Sequence, residues 1–109
     1  MLVQINTDHN VHGTEAVATE LTEVVEAALQ RFSDRITRVV VHIGDENGPK
    51  GGKDDIRCLL EARLEGRQPI VVTHHASTVL LAVHSAAGDM AKVIESTLGR
   101  AEHAIGSRA

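Results

Sequence analysis

Asp55–Glu65, DIRCLLEARLE, sets Ile56, Cys58, Leu60, Ala62 and Leu64 at alternate positions. Between them stand Arg57, Glu61, Arg63 and Glu65, with Leu59 the one apolar exception. Side chains on a strand alternate between faces, so this pattern predicts a long strand with one dry and one wet face. A helix would scatter the same five apolar residues around its circumference. The rest of the chain must pair with this strand or cover its dry side.

Upstream, Ile36–Ile43 (ITRVVVHI) is rich in β-branched residues and reads as a strand. Val39, Val41 and Ile43 fall on one face, and Arg38, Val40 and His42 on the other. Gly44–Asp54, with four Gly and one Pro, reads as a loop joining it to the long strand as an extended hairpin. Downstream, Gly66–Pro69 is a tight connection into a further strand, Ile70–His75, with Pro69 at the start, where a strand tolerates it. Leu2–Thr7 alternates apolar and polar residues and forms the first strand.

Two segments carry helical spacing. From Thr14 to Phe32 the apolar residues are Val17, Leu21, Val24, Val25, Ala28, Leu29 and Phe32, one stripe at steps of three and four. Glu15, Glu20, Glu23 and Glu26 fill its outer side, with Arg31 and Arg35 at or past its end. The second helix is expected from Thr78 to about Ala104, capped by Ser77. Its stripe is Val79, Val83, Ala86, Ala87, Met90, Ile94, Leu98, Ala101 and Ile105. Gly88 and Gly99 each weaken it by about 1 kcal/mol relative to Ala, and Gly99 is expected to end its regular part.

The order is β-α-β-β-β-α, an α+β fold in which two helices cover one face of a four-stranded sheet. Residues 36–75 form an antiparallel meander, and the first helix crosses over to place strand one parallel to strand two. The 109 residues fit a single domain.

Composition removes several functions. Phe32 is the sole aromatic and the formal net charge is −4, so neither ring stacking nor a global positive field can drive nucleic-acid binding. Contacts to a polyanion must come from a local patch. The single Cys58 excludes an internal disulfide and a multi-cysteine zinc site, and its place on the dry face reads as packing. No apolar run approaches the roughly twenty residues of a membrane span. The N-terminus lacks a basic region followed by an apolar run, so a cytoplasmic protein without membrane contact is expected.

Catalytic and metal motifs fail on chemistry. Among seven histidines, His9 and His12 form an HxxH in a turn, while the adjacent His74 and His75 point to opposite sheet faces, and His84 follows. No carboxylate or cysteine completes a recognised ligand set, so no metal or other cofactor is expected. Gly51-Gly52-Lys53 is not a phosphate loop, because Asn47 and Asp54 occupy the positions that need Gly and Ser or Thr. The segment also leads into a strand rather than a helix. No nucleophile elbow is present, and an enzyme acting on a small-molecule substrate is not expected.

The basic residues group more suggestively. Arg31, Arg35 and Arg38 flank the first helix-to-strand turn, Arg57 and Arg63 share the wet face of the long strand, and Arg67 follows it. Lys92 and Arg100 lie eight residues apart on one side of the last helix. Glu61, Glu65, Glu95 and Glu102 are interspersed, as on an ordinary solvated surface.

Taken together, VQIN (3–6), RFSDRITRVVVHI (31–43), LLEARLEGRQPIVV (59–72) and ASTVLLAVHSAAGDMAKVIESTL (76–98) give the chain a family likeness. It resembles the ribosome hibernation-promoting factors, also called ribosome-associated inhibitors or sigma-54 modulation proteins, over roughly residues 1–105. The resemblance implies a non-enzymatic protein that binds the small ribosomal subunit in the channel used by mRNA and tRNA. It implies contact with 16S rRNA and neighbouring ribosomal proteins on 30S and 70S particles, and silencing of translation under stress or in stationary phase. The resemblance implies a binding base at Lys92, with Arg100 continuing the same helix, and expects two further bases where Asp89 and Ser96 stand. With the basic groups above, the candidate rRNA-binding residues are Arg31, Arg35, Arg38, Arg57, Arg63, Lys92 and Arg100. The chain resembles the short members, which lack a C-terminal dimerisation domain. The mixed wet face of the long strand reads as scaffold, and the helix side and sheet ends as the RNA grip. The alternative is a module of the same fold that has lost strong rRNA binding and docks a protein or weakly self-associates. Val40, Leu59 and Val71 on the wet face would then mark the contact.

Overall fold

A computed structural model describes residues 1–8, 15–46 and 56–106, with the backbone alone for Glu15 and residues 100–106. The elements are β1 (Leu2–Thr7), α1 (Glu15–Leu29) followed by a 3-10 turn (Gln30–Phe32), β2 (Ile36–Asp45), β3 (Ile56–Leu64), β4 (Ile70–Ala76) and α2 (Val79–Gly106). The architecture is the α+β arrangement that the sequence predicts. One sheet runs in the order β1-β2-β3-β4, with β1 parallel to β2 and the other neighbours antiparallel.

β3 is the long alternating strand, and its register with both neighbours fixes the two faces. Val39, Val41 and Ile43 stand opposite Ala62, Leu60 and Cys58, which meet Ile70, Val72 and His74 on β4. This is the dry face. Leu21, Val25 and Leu29 of α1 and Ala82, Val83, Ala86, Ala87, Met90 and Ile94 of α2 bury against it. The alanines let α2 lie close over β3 and β4, while α1 packs against β1 and α2. Burying a Leu or Ile side chain contributes about 1.5–3 kcal/mol, so this one interface is the main source of stability.

Four local features depart from the sequence reading. β2 runs on through Gly44 and Asp45, which pair with Arg57 and Ile56, so the connection starts later than its glycine suggests. Backbone pairing wins there because the Asp8 N–H also donates to the Ile43 carbonyl at 3.0 Å. At Gly44 an added Cβ would sit 2.9 Å from Asp8 Oδ2, so glycine admits that carboxylate. Second, α2 is helical through Gly99 to Gly106 and does not end early. One glycine costs about 1 kcal/mol, which an otherwise regular helix of 28 residues absorbs.

Third, the cap of α2 is Thr78 rather than Ser77: its Oγ1 accepts from the Leu81 N–H at 3.1 Å. The fourth is a bulge between Ile36 and Arg38, where Thr37 is the extra residue and its Oγ1 donates to the Arg63 carbonyl at 3.1 Å. The bulge resets the alternation, so Ile36 and Val39 both bury while Arg38 turns to the opposite face. Gly66, at φ 73°, closes the turn between β3 and β4 in a conformation that glycine adopts without strain.

Candidate nucleic-acid interface

The face of the sheet away from the helices carries Gln4 and Asn6 of β1, and Arg38, Val40 and His42 of β2. It continues with Arg57, Leu59, Glu61 and Arg63 of β3, and Val71, Thr73 and His75 of β4. Owing to the bulge, Arg38 and Arg63 are direct register partners across β2 and β3. Like charges directly opposite on neighbouring strands oppose pairing, so this pair of arginines marks a place that gains from an anion. Among the described residues no carboxylate lies within ion-pair distance of Arg38. Arg63 makes a 3.5 Å contact with Glu61 on the same strand.

Six residues along β3, about 20 Å at strand rise, Arg57 forms a second positive point. It lies opposite Gly44 and His75. Glu46 ties this end together, with its Oε1 3.1 Å from His75 Nε2 and 3.7 Å from Arg57 Nε. A recess of about 280 Å³ opens beside Arg57 between Asn6, Asp8, His42 and Gly44.

The other basic residues separate. Arg31 faces α2, where its Nη2 meets Glu95 Oε2 at 3.1 Å and its guanidinium lies 4.7 Å from the Phe32 ring centroid. The expected grouping of Arg31 with Arg35 and Arg38 therefore divides between two surfaces. Arg35 is exposed in the turn before β2, its N–H bonded to the Phe32 carbonyl at 2.9 Å. Lys92 is exposed on α2, and Arg100 lies further along the same helix with its side chain outside the described residues. The exposed and half-buried positions of the two helices also carry Glu20, Glu23, Glu26, Asp89 and Glu95. The helix side is thus acidic, and the open sheet face is the more basic surface.

On the open face Leu59, half-buried, lies diagonally next to Val40 and Val71, two residues along β3 from Glu61, which stands directly between them. Val40 is only 7% exposed, whereas Val71 is 51% and Leu2 62% exposed, and the last two stand on opposite edge strands. Three strand spacings, about 14 Å, separate those edges.

His74 and His75 lie on opposite faces, as strand periodicity predicts; His74 Nε2 reaches Asp89 Oδ2 on α2 at 3.3 Å. Among the described residues no three His, Cys, Asp or Glu side chains gather as a metal site. His9 and His12 lie outside the described residues, as do Gly51-Gly52-Lys53. Cys58 is fully buried, and burial pushes its thiol up from 9.0 to about 11, which opposes a reactive thiolate. No helix among the described residues is long and apolar enough to cross a membrane.

No protein-family model matches the chain, and no curated protein is similar to it in sequence. Solved structures are similar in shape. The N-terminal domain of Protein Y from Thermus thermophilus superposes with a TM-score of 0.71 at 16% identity, covering 89% of this chain and 99% of that one. A ribosomal subunit interface protein from Coxiella burnetii gives 0.69 at 14% identity, covering 91% and 99%. The fold implied by the hibernation-factor resemblance is the fold observed: this chain is a β-α-β-β-β-α domain of the kind found in Protein Y and the subunit interface protein.

Proposed function

We propose that the chain is a ribosome-associated, non-enzymatic member of the hibernation-promoting factor family that binds 16S rRNA of the small subunit and restrains translation in stressed or stationary cells. The observation that carries this reading is the Arg38–Arg63 pair on the open sheet face of a domain shaped like Protein Y. Two guanidiniums side by side suit bidentate contact with phosphate. Arg57 adds a third contact along the same strand, and Arg35 extends the surface at the turn. Lys92 and Arg100 play a lesser part, because the acidic helix side repels a polyanion. The grip thus moves from the helices to the sheet.

Such binding rests on few phosphate contacts and is salt-sensitive, since each contact neutralised releases counterion and steepens the dependence on salt. Sedimentation with purified 30S and 70S particles at low and moderate salt tests it. The protein should travel with 30S and 70S particles at low salt, and the double variant Arg38→Ala/Arg63→Ala should remain near the top. Wild-type protein that stays at the top in both salts rules the proposal out. Docking of a protein through the open face is less favoured, because, of Val40, Leu59 and Val71, the first is buried and the charged Glu61 stands between it and Val71.

A further inference from the structure

On the side away from the sheet, α1 and α2 leave a groove of about 520 Å³ between them. Val24, Ala27 and Ala28 of α1 and Gly88 of α2 make its apolar floor, and Glu20, Glu23 and His84 stand on its rim. A second depression continues it past Ala27 and Ala28 to Gln30 and Arg31. From Glu20 on α1 to Arg31 in the 3-10 turn after it, the run is about 16 Å, three helical turns. Small residues on both helices hold the channel open. At Gly88 an added Cβ would meet nothing within 4 Å, so the groove wall has room for a side chain from elsewhere.

The rim decides the occupant. Among the described residues no lysine or arginine lines the main groove; Lys92 stands one turn beyond Gly88 on α2, outside the lining. At the far end Arg31 is held by Glu95, 3.1 Å away. An apolar floor edged with carboxylates complements an amphipathic segment with lysine or arginine flanking its apolar face. It does not suit a second copy of the same face, which would set Glu20 and Glu23 against their own equivalents. Nor does it suit RNA, whose phosphates the rim repels.

We propose that the α1–α2 groove is a docking site for a basic amphipathic helical segment of another protein, separate from the basic face of the sheet. The domain would then bind a polyanion on one side and a cationic polypeptide on the other.

The test uses the full chain without ribosomes, which separates it from the rRNA reading. A fluorescein-labelled helical peptide of about 14 residues, about 21 Å long, with leucine and lysine at helical spacing is titrated at low salt. A matched peptide carries glutamine for each lysine. The lysine peptide should bind and perturb the amide signals of Ala27, Ala28 and Gly88, and the glutamine peptide should not. Gly88→Leu fills the groove and should weaken binding at least about tenfold, the effect of losing a central apolar contact. Glu20→Gln/Glu23→Gln should weaken it about three- to tenfold and flatten its salt dependence. Thermal melts confirm that each variant is folded, and the double variant alters only exposed positions.

No binding of the lysine peptide overturns the proposal, as does equal binding of both peptides. Binding unchanged by Gly88→Leu places the peptide elsewhere and also overturns it. A dimer in sedimentation equilibrium that Gly88→Leu abolishes would assign the groove to a second copy instead.

Discussion

Nε2 of His74 lies 3.3 Å from Oδ2 of Asp89, joining the edge strand β4 to the middle of α2. Asp89 stands where the family resemblance implies a base, so its carboxylate serves a contact within the fold. Both side chains are partly exposed, and exposed pairs contribute about 0–1 kcal/mol. Asp89→Asn should therefore lower stability by no more than about 0.5 kcal/mol in urea unfolding, with the difference shrinking as salt is added.

The two residues at the entrance to α2 are expected to behave differently. Thr78→Ala removes the acceptor for the Leu81 N–H and should cost about 1 kcal/mol. Ser77→Ala, one residue away, should change stability by less than about 0.5 kcal/mol. Paired chemical denaturation curves check this, and a larger loss at Ser77 would relocate the cap.

Two glycines should respond with opposite sign. Gly99→Ala adds a Cβ that meets nothing within 4 Å in a regular helix, and should stabilise by about 1 kcal/mol. Gly66→Ala forces an L side chain into φ 73° and should destabilise by about 1–2 kcal/mol. Melting temperatures of the two variants should fall on either side of the wild type.

Cys58 predicts an alkaline weakness. Its thiol is raised from 9.0 to about 11 in the folded protein, so above pH 9 the unfolded chain loses a proton that the native state keeps. Stability from this group is fully present below pH 9 and is lost as pH rises through about 11. The loss should be on the order of 2 kcal/mol. Cys58→Ala should flatten the fall in urea midpoint between pH 9 and pH 11, and a thiol reagent at pH 8 should react only after unfolding.

Glu61 is the carboxylate embedded in the basic face, 3.5 Å from Arg63. Glu61→Gln should strengthen 30S binding about two- to fivefold at low salt by removing a charge that repels phosphate. A filter-binding titration checks the direction, and weaker binding would count against the sheet face as the contact.

The alternation of Ile56–Leu64 settled the layering, because period two has one reading when five alternate residues are apolar. The helix stripes were equally legible, and Leu21, Val25, Met90 and Ile94 are buried as their spacing predicts. The positions that local sequence does not reveal are those where a distant partner overrides local preference. Gly44 and Asp45 look like a turn until Arg57 and Ile56 pair with them. The bulge at Thr37 left one trace, Ile36 standing three residues from Val39 on a face where two or four would be regular. The site was harder still. Arg31, Arg35 and Arg38 are neighbours in sequence, yet the pairing of Arg31 with Glu95, 64 residues away, depends on how α1 meets α2. The Arg38–Arg63 pair exists only through the bulge.

Unequal charge on the two layers gives the domain an electric polarity that its net charge of −4 conceals. Approaching a phosphate-covered surface, the carboxylates of α1 are pushed away while Arg38, Arg57 and Arg63 are drawn in, and the resulting torque turns the molecule before contact. An acidic protein can in this way reach a polyanion in one orientation and be turned back in all others.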